Sequence, residues 1–248
     1  MEKQVMLITG ASRGIGAATA KRAAAAGYAV GVNYARSKDN ALEVVKDIEA
    51  MGGQAIAIPG DVRNPLDIEM MFSQTAEQLG PITAVFANAG ITGPVSLLKD
   101  LSVEDLQDVV QINVVGAFLT AQAAVKHMAK SSGGSGGTIV IMSSRAAQLG
   151  SGGEFIHYAA SKGAMDTLTI GLAKEVAPEG IRVNAVGPGL IDTDIHNVGD
   201  GKRLERLLPG VPMGRIGGPE EVADVVVWLS GPSSSYVTGS IIPISGGR

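Results

Sequence analysis

Residues Val5–Gly16 read V-M-L-I-T-G-A-S-R-G-I-G, an apolar run that enters a glycine-rich turn and leaves as a helix pattern. Four consecutive apolar residues suit a strand covered on both faces. Glycines at Gly10, Gly14 and Gly16 let the backbone turn sharply and approach a ligand closely. The free N–H groups at the start of the following helix favour a phosphate. The spacing is G-x-x-x-G-x-G, not the G-x-G-x-x-G of the better-known dinucleotide fingerprint. A purely structural strand-to-helix junction is the alternative reading.

Outward from this turn, short apolar runs alternate with longer amphipathic segments. Strands are expected near Val5–Thr9, Ala29–Asn33, Ala55–Pro59, Ala84–Ala87, Thr138–Ser143, Arg182–Val186 and Ser240–Ile244. Helices are expected near Ile15–Ala26, Asn40–Met51, Pro65–Leu79, Val103–Ala129, Tyr158–Val176 and Glu220–Leu229. Such alternation predicts an α/β fold, a doubly wound parallel sheet of about seven strands with helices on both faces. The stripe of Val114, Phe118, Ala121 and Val125 on the long helix reads as core or subunit interface. Ser131–Gly137 (S-S-G-G-S-G-G) resembles a linker, but no composition shift flanks it, so residues 1–248 read as one domain.

Composition narrows the partners. The chain has 248 residues, 45% of them hydrophobic, enough for a sizeable core. Lys+Arg total 20 against 24 Asp+Glu, with no long basic run, which argues against nucleic acid or an anionic membrane. With no cysteine, disulfides and thiolate chemistry are excluded. The start M-E-K-Q-V-M-L-I lacks a signal-peptide pattern, and the apolar stretches read as shorter than a membrane span, so a soluble cytoplasmic protein is expected.

The second strand bears on the cofactor. An NAD site places an acid after it, whereas an NADP site avoids that acid and supplies Arg. Here V-N-Y-A-R-S carries Asn33, Tyr34, Ala35 and Arg36, with no carboxylate before Asp39, and Arg13 lies in the glycine turn. Two guanidinium groups favour NADP(H), with NAD(H) as the alternative. Further along, H-Y-A-A-S-K sets Tyr158 and Lys162 four residues apart, on one helix face one turn apart. A cation held there favours the phenolate and suits the phenol to proton exchange with a carbonyl or an alcohol.

Together T-G-A-S-R-G-I-G, N-A-G at Asn88–Gly90, Y-A-A-S-K at Tyr158–Lys162, N-A-V-G-P-G at Asn184–Gly189 and the ending Y-V-T-G-S-I-I-P-I-S-G-G resemble the ordered motifs of the short-chain dehydrogenase/reductase family. The likeness covers essentially the whole chain and is similar in character to glucose dehydrogenase-like members and 3-oxoacyl-carrier-protein reductases. It implies a Rossmann-type single domain and hydride transfer between nicotinamide and a small carbonyl or alcohol substrate. Tyr158 would be general acid or base, and Lys162 would lower its pKa and hold the nicotinamide ribose. Ser144 would hydrogen-bond the substrate oxygen, with its neighbour Ser143 as competitor, and Asn113 would hold a water or else serve only the backbone. The cofactor contacts implied are Gly10, Ser12, Arg13, Gly14, Ile15 and Gly16 in the turn, then Asp61 and Val62 at the adenine. Asn88, Ala89 and Gly90 would meet the ribose, and Pro188, Gly189, Ile191 and Thr193 the carboxamide. Ala87 departs from the family pattern, where a second Asn often ties the sheet.

Other residues receive milder readings. His157 reads as a surface or pocket-wall residue, and His127 and His196 lack metal-ligand spacing. Asp192 and Asp194 read as a solvated loop, so no metal is expected. Residues 190–215 are the expected lid, where Lys202, Arg203 and Arg206 offer either a docking patch for an acidic carrier protein or a solvated face. A homotetramer is implied by the family. A catalytically retired nucleotide-binding scaffold is the rival from another class.

Overall fold

The structure is a computed structural model that describes residues 4–194 and 203–248. Its strands are β1 (Val5–Ile8), β2 (Ala29–Tyr34), β3 (Gln54–Pro59), β4 (Ala84–Ala87), β5 (Gly137–Met142), β6 (Ile181–Pro188) and β7 (Ile241–Ile244). They form one parallel sheet in the order β3-β2-β1-β4-β5-β6-β7. The helices are α1 (Gly14–Ala25), α2 (Lys38–Ala50), α3 (Pro65–Leu79), α4 (Val103–Val110), α5 (Gly116–Met128), α6 (Ala146–Leu149), α7 (Ile156–Val176), α8 (Arg203–Leu207) and α9 (Pro219–Ser230).

Strand pleating sorts the core into two layers. Val5, Leu7, Val85, Ile139 and Ile141 pack with Phe72, Met71, Met128 and Met165, under α3, α5 and α7. Met6, Ile8, Val30, Val32 and Phe86 point the other way, onto Ile48, Val226 and Leu229 of α2 and α9. All four residues of β1 are fully buried, which is why that strand reads as an uninterrupted apolar run.

Chain direction reverses across the sheet between β1 and β4, so the loops after these strands diverge and leave a crevice at their C-terminal ends. Two amides, Asn33 buried and Asn88 partly buried, fix its floor. The Asn33 Oδ1 accepts from Gly10 N (3.0 Å), while its Nδ2 donates to the carbonyls of Ile58 (3.2 Å) and Gly60 (3.0 Å). The Asn88 Nδ2 donates to the carbonyls of Thr9 (2.8 Å) and Gly10 (3.0 Å). The tie placed in doubt by Ala87 is thus made by Asn88 with Thr9.

Three expectations change. The helix expected over Val103–Ala129 is α4 and α5 joined by a π turn at Gln111–Val115, and Asn113 sits in that turn. Counted through the turn, Val103–Met128 is long and apolar enough to cross a membrane by length and composition, which corrects the expectation that every apolar stretch is shorter. Its stripe packs inside instead, burying Val109, Ala117, Ala121, Ala124 and Met128 against α3, α7 and the sheet, while Phe118 is exposed. Finally, α7 starts two residues before Tyr158, placing the phenol within its first turn.

Replacing Asn33 by Ala strands a buried N–H and two carbonyls. The expected cost is about 1–3 kcal/mol, and the midpoint of thermal unfolding should fall by roughly 2–4 °C per kcal/mol. An unchanged unfolding curve would refute this role.

Candidate active site

A cleft of about 750 Å³ opens where β1 and β4 diverge. Gly10 has φ +62°, and a Cβ there would lie 3.0 Å from the Ala89 Cα. A Cβ on Gly16 would lie 2.5 Å from the Gly10 carbonyl oxygen. The turn therefore packs backbone on backbone, as only glycine allows at these positions. Every residue named from the sequence for cofactor contact lines this one cleft, as do Ser144, Tyr158 and Lys162; Asn113 lies behind its wall.

At the β2 end, Arg36 is exposed at the rim and the Asn33 amide is spent on backbone, so Asn33 shapes the floor and is not a free contact. Arg13 is exposed and lies 4.0 Å from Asp194. Asp61 is gripped by Arg63, whose Nη2 approaches to 2.6 Å. That side-chain hydrogen bonding holds the Asp61 carboxyl below its ordinary value, against an opposing desolvation effect. Arg63 also reaches Asp108 at 3.6 Å. Sequence reading passed over Arg63 although it directly follows Asp61 and Val62.

At the other end, Ser144 and Tyr158 line the cleft together, and the Ser144 Oγ accepts from Ala146 N (3.1 Å). Ser143 also lines it but is buried, and its hydroxyl donates to Asp166 Oδ1. Lys162, 3% exposed, extends its Nζ to the Met142 carbonyl (2.8 Å) and lies 5.6 Å from the centre of the Tyr158 ring. Burial lowers the Lys162 pKa to about 8, with Asp166 opposing. Burial also raises the Tyr158 pKa, with Ser144 and then Arg203 pulling it back. The sequence expectation of a lysine-lowered phenol omitted this desolvation, which is the largest effect on Tyr158.

Asn113 is buried, and its side-chain amide is bonded to the protein. Its Nδ2 donates to the Ile91 carbonyl (2.8 Å) and to Ser161 Oγ (3.0 Å), and its Oδ1 accepts from Ile91 N (2.9 Å). His157 is corrected from surface or wall to core: it is 5% exposed, beneath Gly93. Of the expected lid, Arg203 is not a solvated docking cation. It pairs with Glu154 (2.9 Å), lies 5.1 Å from the Phe155 ring centre and forms part of the cleft wall. Arg206 reaches the same carboxylate at 3.2 Å. His196 and Lys202 lie outside the described residues, as does the rest of the lid between 195 and 202. Among the described residues no cluster of three His, Asp or Glu could hold a metal.

A family model described as enoyl-(acyl carrier protein) reductase matches residues 10–248. The uncharacterized oxidoreductase YgfF of Escherichia coli (strain K12) is 46% identical over 245 residues, covering 98% of this chain and 99% of that protein. The chain belongs to the short-chain dehydrogenase/reductase family. It is an oxidoreductase of the class acting on alcohol and carbonyl groups. A 3-oxoacyl-[acyl-carrier-protein] reductase from Synechocystis sp. (strain ATCC 27184 / PCC 6803 / Kazusa) is a 40% identical relative, over 98% of this chain and 96% of its own. Among solved structures, a short chain dehydrogenase from Burkholderia cenocepacia J2315 in complex with NADP superposes with a TM-score of 0.90 at 36% identity, covering 98% of this chain and 96% of that one.

The Lys162 shift has a sign that can be tested. Between pH 8 and the free-lysine value of 10.5, the unfolded chain binds the extra proton, so this group makes stability rise with pH. Urea unfolding should show the wild type gaining on Lys162→Met between about pH 7.5 and about pH 9.5. A gap that stays constant over that window would overturn the assignment of a desolvated ammonium.

Proposed function

We propose that this protein is an NADP(H)-dependent oxidoreductase that interconverts a carbonyl and a secondary alcohol, with Tyr158 as general acid and base. One observation carries the reading: the Ser144–Tyr158 pair and the Lys162 ammonium stand at one end of a cleft whose other end is a bare backbone turn rimmed by Arg13 and Arg36. The residues fit a dinucleotide phosphate. A Cβ on Gly16 would collide with its surroundings, so the turn stays clear for pyrophosphate, and no carboxylate follows β2 to compete for the 2′-phosphate. The solved relative's NADP supports the same choice, with NAD(H) as the alternative.

A bound nicotinamide cofactor supplies or takes up the hydride. The chain's own residues manage the proton and the developing charge. In reduction, Tyr158 gives its proton to the carbonyl oxygen, and Ser144 donates a hydrogen bond to the same oxygen. Burial keeps the phenol protonated, which suits the acid role. In oxidation Tyr158 takes the alcohol proton, and the positive charges of Lys162 and Arg203 offset the cost of a buried phenolate. Lys162, anchored on Met142, also faces the ribose side of the cleft. Asn113 registers the π turn against Ile91 and so sets the wall beside Lys162.

The Synechocystis relative makes 3-oxoacyl-carrier-protein reduction the alternative reaction. The pairing of Arg203 and Arg206 with Glu154 counts against a free docking patch there. We place the protein in the cytoplasm as a homotetramer. Its contacts would fall on exposed apolar residues such as Val103, Phe118 and Trp228 and on the open edge of β7.

With NADPH and a panel of ketones, Tyr158→Phe should lower turnover roughly 100- to 10,000-fold while NADPH affinity holds. Equal inertness of both proteins with cofactor still bound would favour the scaffold reading. Arg36→Ala should weaken NADPH about tenfold or more, the worth of a charge-assisted hydrogen bond, and leave NADH nearly unchanged. Equal loss for both cofactors would remove Arg36 from the phosphate site.

A further inference from the structure

Asp166 stands on α7 one turn beyond Lys162, half-buried and outside the lining of the cleft. Both of its oxygens are bonded toward the segment that leaves β5. Oδ1 accepts from the Ser143 hydroxyl, and Oδ2 accepts from Gln148 Nε2 (2.6 Å) on α6. Ser143 is 1% exposed, and its N–H donates to the Val186 carbonyl (2.8 Å). Its hydroxyl also lies 3.3 Å from the Lys162 carbonyl oxygen.

Ser143 sits between two groups of the reacting end. Before it, the Met142 carbonyl accepts from Lys162 Nζ (2.8 Å); after it, Ser144 lines the cleft beside Tyr158. One short segment thus carries both the anchor of the ammonium and the hydroxyl offered to the substrate oxygen. Tying Ser143 to Asp166 joins that segment to α7, the helix that bears Tyr158 and Lys162. An ionised acceptor makes this tie roughly twice as strong as a neutral one. Charge works alongside the tie. The buried Lys162 meets uncharged groups from other elements: Met142 and Ser143 at the end of β5, and Gly90, where a Cβ would lie 3.6 Å from Nζ and 3.2 Å from Asn113 Oδ1. On α7 itself it meets the Tyr158 ring, on which Arg203 acts, and Asp166. Asp166 is the acid that opposes the lowering of the Lys162 pKa by burial.

We infer that Asp166 is a positioning residue of the reacting end: through Ser143 it sets the Met142 carbonyl and the Ser144 hydroxyl against α7, and its negative charge stands one helical turn from the Lys162 ammonium. It acts from behind the cleft wall, through Ser143 and Lys162. This rests on the carbonyl–alcohol chemistry proposed above and adds a residue to it.

Reduction calls on the Lys162 ammonium to offset the charge that develops on Tyr158, so kcat should fall as Lys162 loses its proton, near pH 8. Taking away the Asp166 charge lowers that pKa and brings the fall to lower pH. With NADPH and the ketone panel, Asp166→Asn, which keeps an acceptor for Ser143, should hold kcat near wild type at low pH and move the alkaline fall down by roughly one pH unit. Asp166→Ala, which removes the acceptor, should also lose kcat at low pH, roughly tenfold, with NADPH affinity unchanged. Asp166→Glu should restore the wild-type alkaline limb. An Asp166→Asn profile that superposes on wild type overturns the inference. So does an Asp166→Ala loss matched by an equal loss of NADPH affinity, which marks a carboxylate needed only for folding. Carbon-13 NMR titration of the lysine side chains, with Lys162 assigned by its absence in Lys162→Met, reads the same shift without turnover. A Lys162 titration moved by Asp166→Asn in a protein that reduces no ketone supports the role of Asp166 and defeats the oxidoreductase reading. Turnover with an unmoved Lys162 does the reverse.

Discussion

Two asparagine amides, Asn33 buried and Asn88 partly buried, hold the backbone around one glycine turn, and the cleft follows from that arrangement. Asn33 joins the turn to the ends of β2 and β3, and Asn88 joins it to the loop after β4. Leaving any of these partners unpaired in the interior would cost more than the bond contributes, so the floor of the cleft is rigid by necessity. That rigidity allows Gly10 to rest against Ala89 at contact distance.

The reacting end is built on a different principle. There the groups are charged or ionisable and are pressed into a desolvated wall: Lys162 with its pKa near 8, Tyr158 pushed upward, Arg203 against Phe155. Burial sets the direction of both shifts, with Asp166 opposing it at Lys162 and Ser144 and Arg203 opposing it at Tyr158. The phenol stays protonated at rest, and the surrounding cations limit the penalty when it ionises. A hydrogen-bonded chain runs from Ser143 through Asp166 and Gln148 to Arg145, joining α7 to the segment after β5.

Much of this was legible in the chain. Continuous apolar runs such as V-M-L-I and I-V-I-M can only be strands covered twice, and their alternation with amphipathic segments fixes a parallel sheet. Tyr158 and Lys162 were legible because a spacing of four is a local property of any helix. Arg13 and Arg36 were legible because they stand beside turns whose shape glycine and strand ends dictate. Asn33 and Asn88 were seen as contacts but not as ties, because their partners lie 23 to 27 and 78 to 79 residues away.

The sequence by itself determined the order of strands and helices, the place of the glycine turn and the shared helix face of Tyr158 and Lys162, all consequences of short-range geometry. Tertiary structure alone decided what each polar group is doing. It turned His157 inward, spent the Asn113 amide on Ile91, tied Arg203 to Glu154 and set Arg145 beside Arg248. Burial and partnership depend on segments brought together from distant parts of the chain. Their effect on a charge, through lost water and gained neighbours, has no counterpart in residue order.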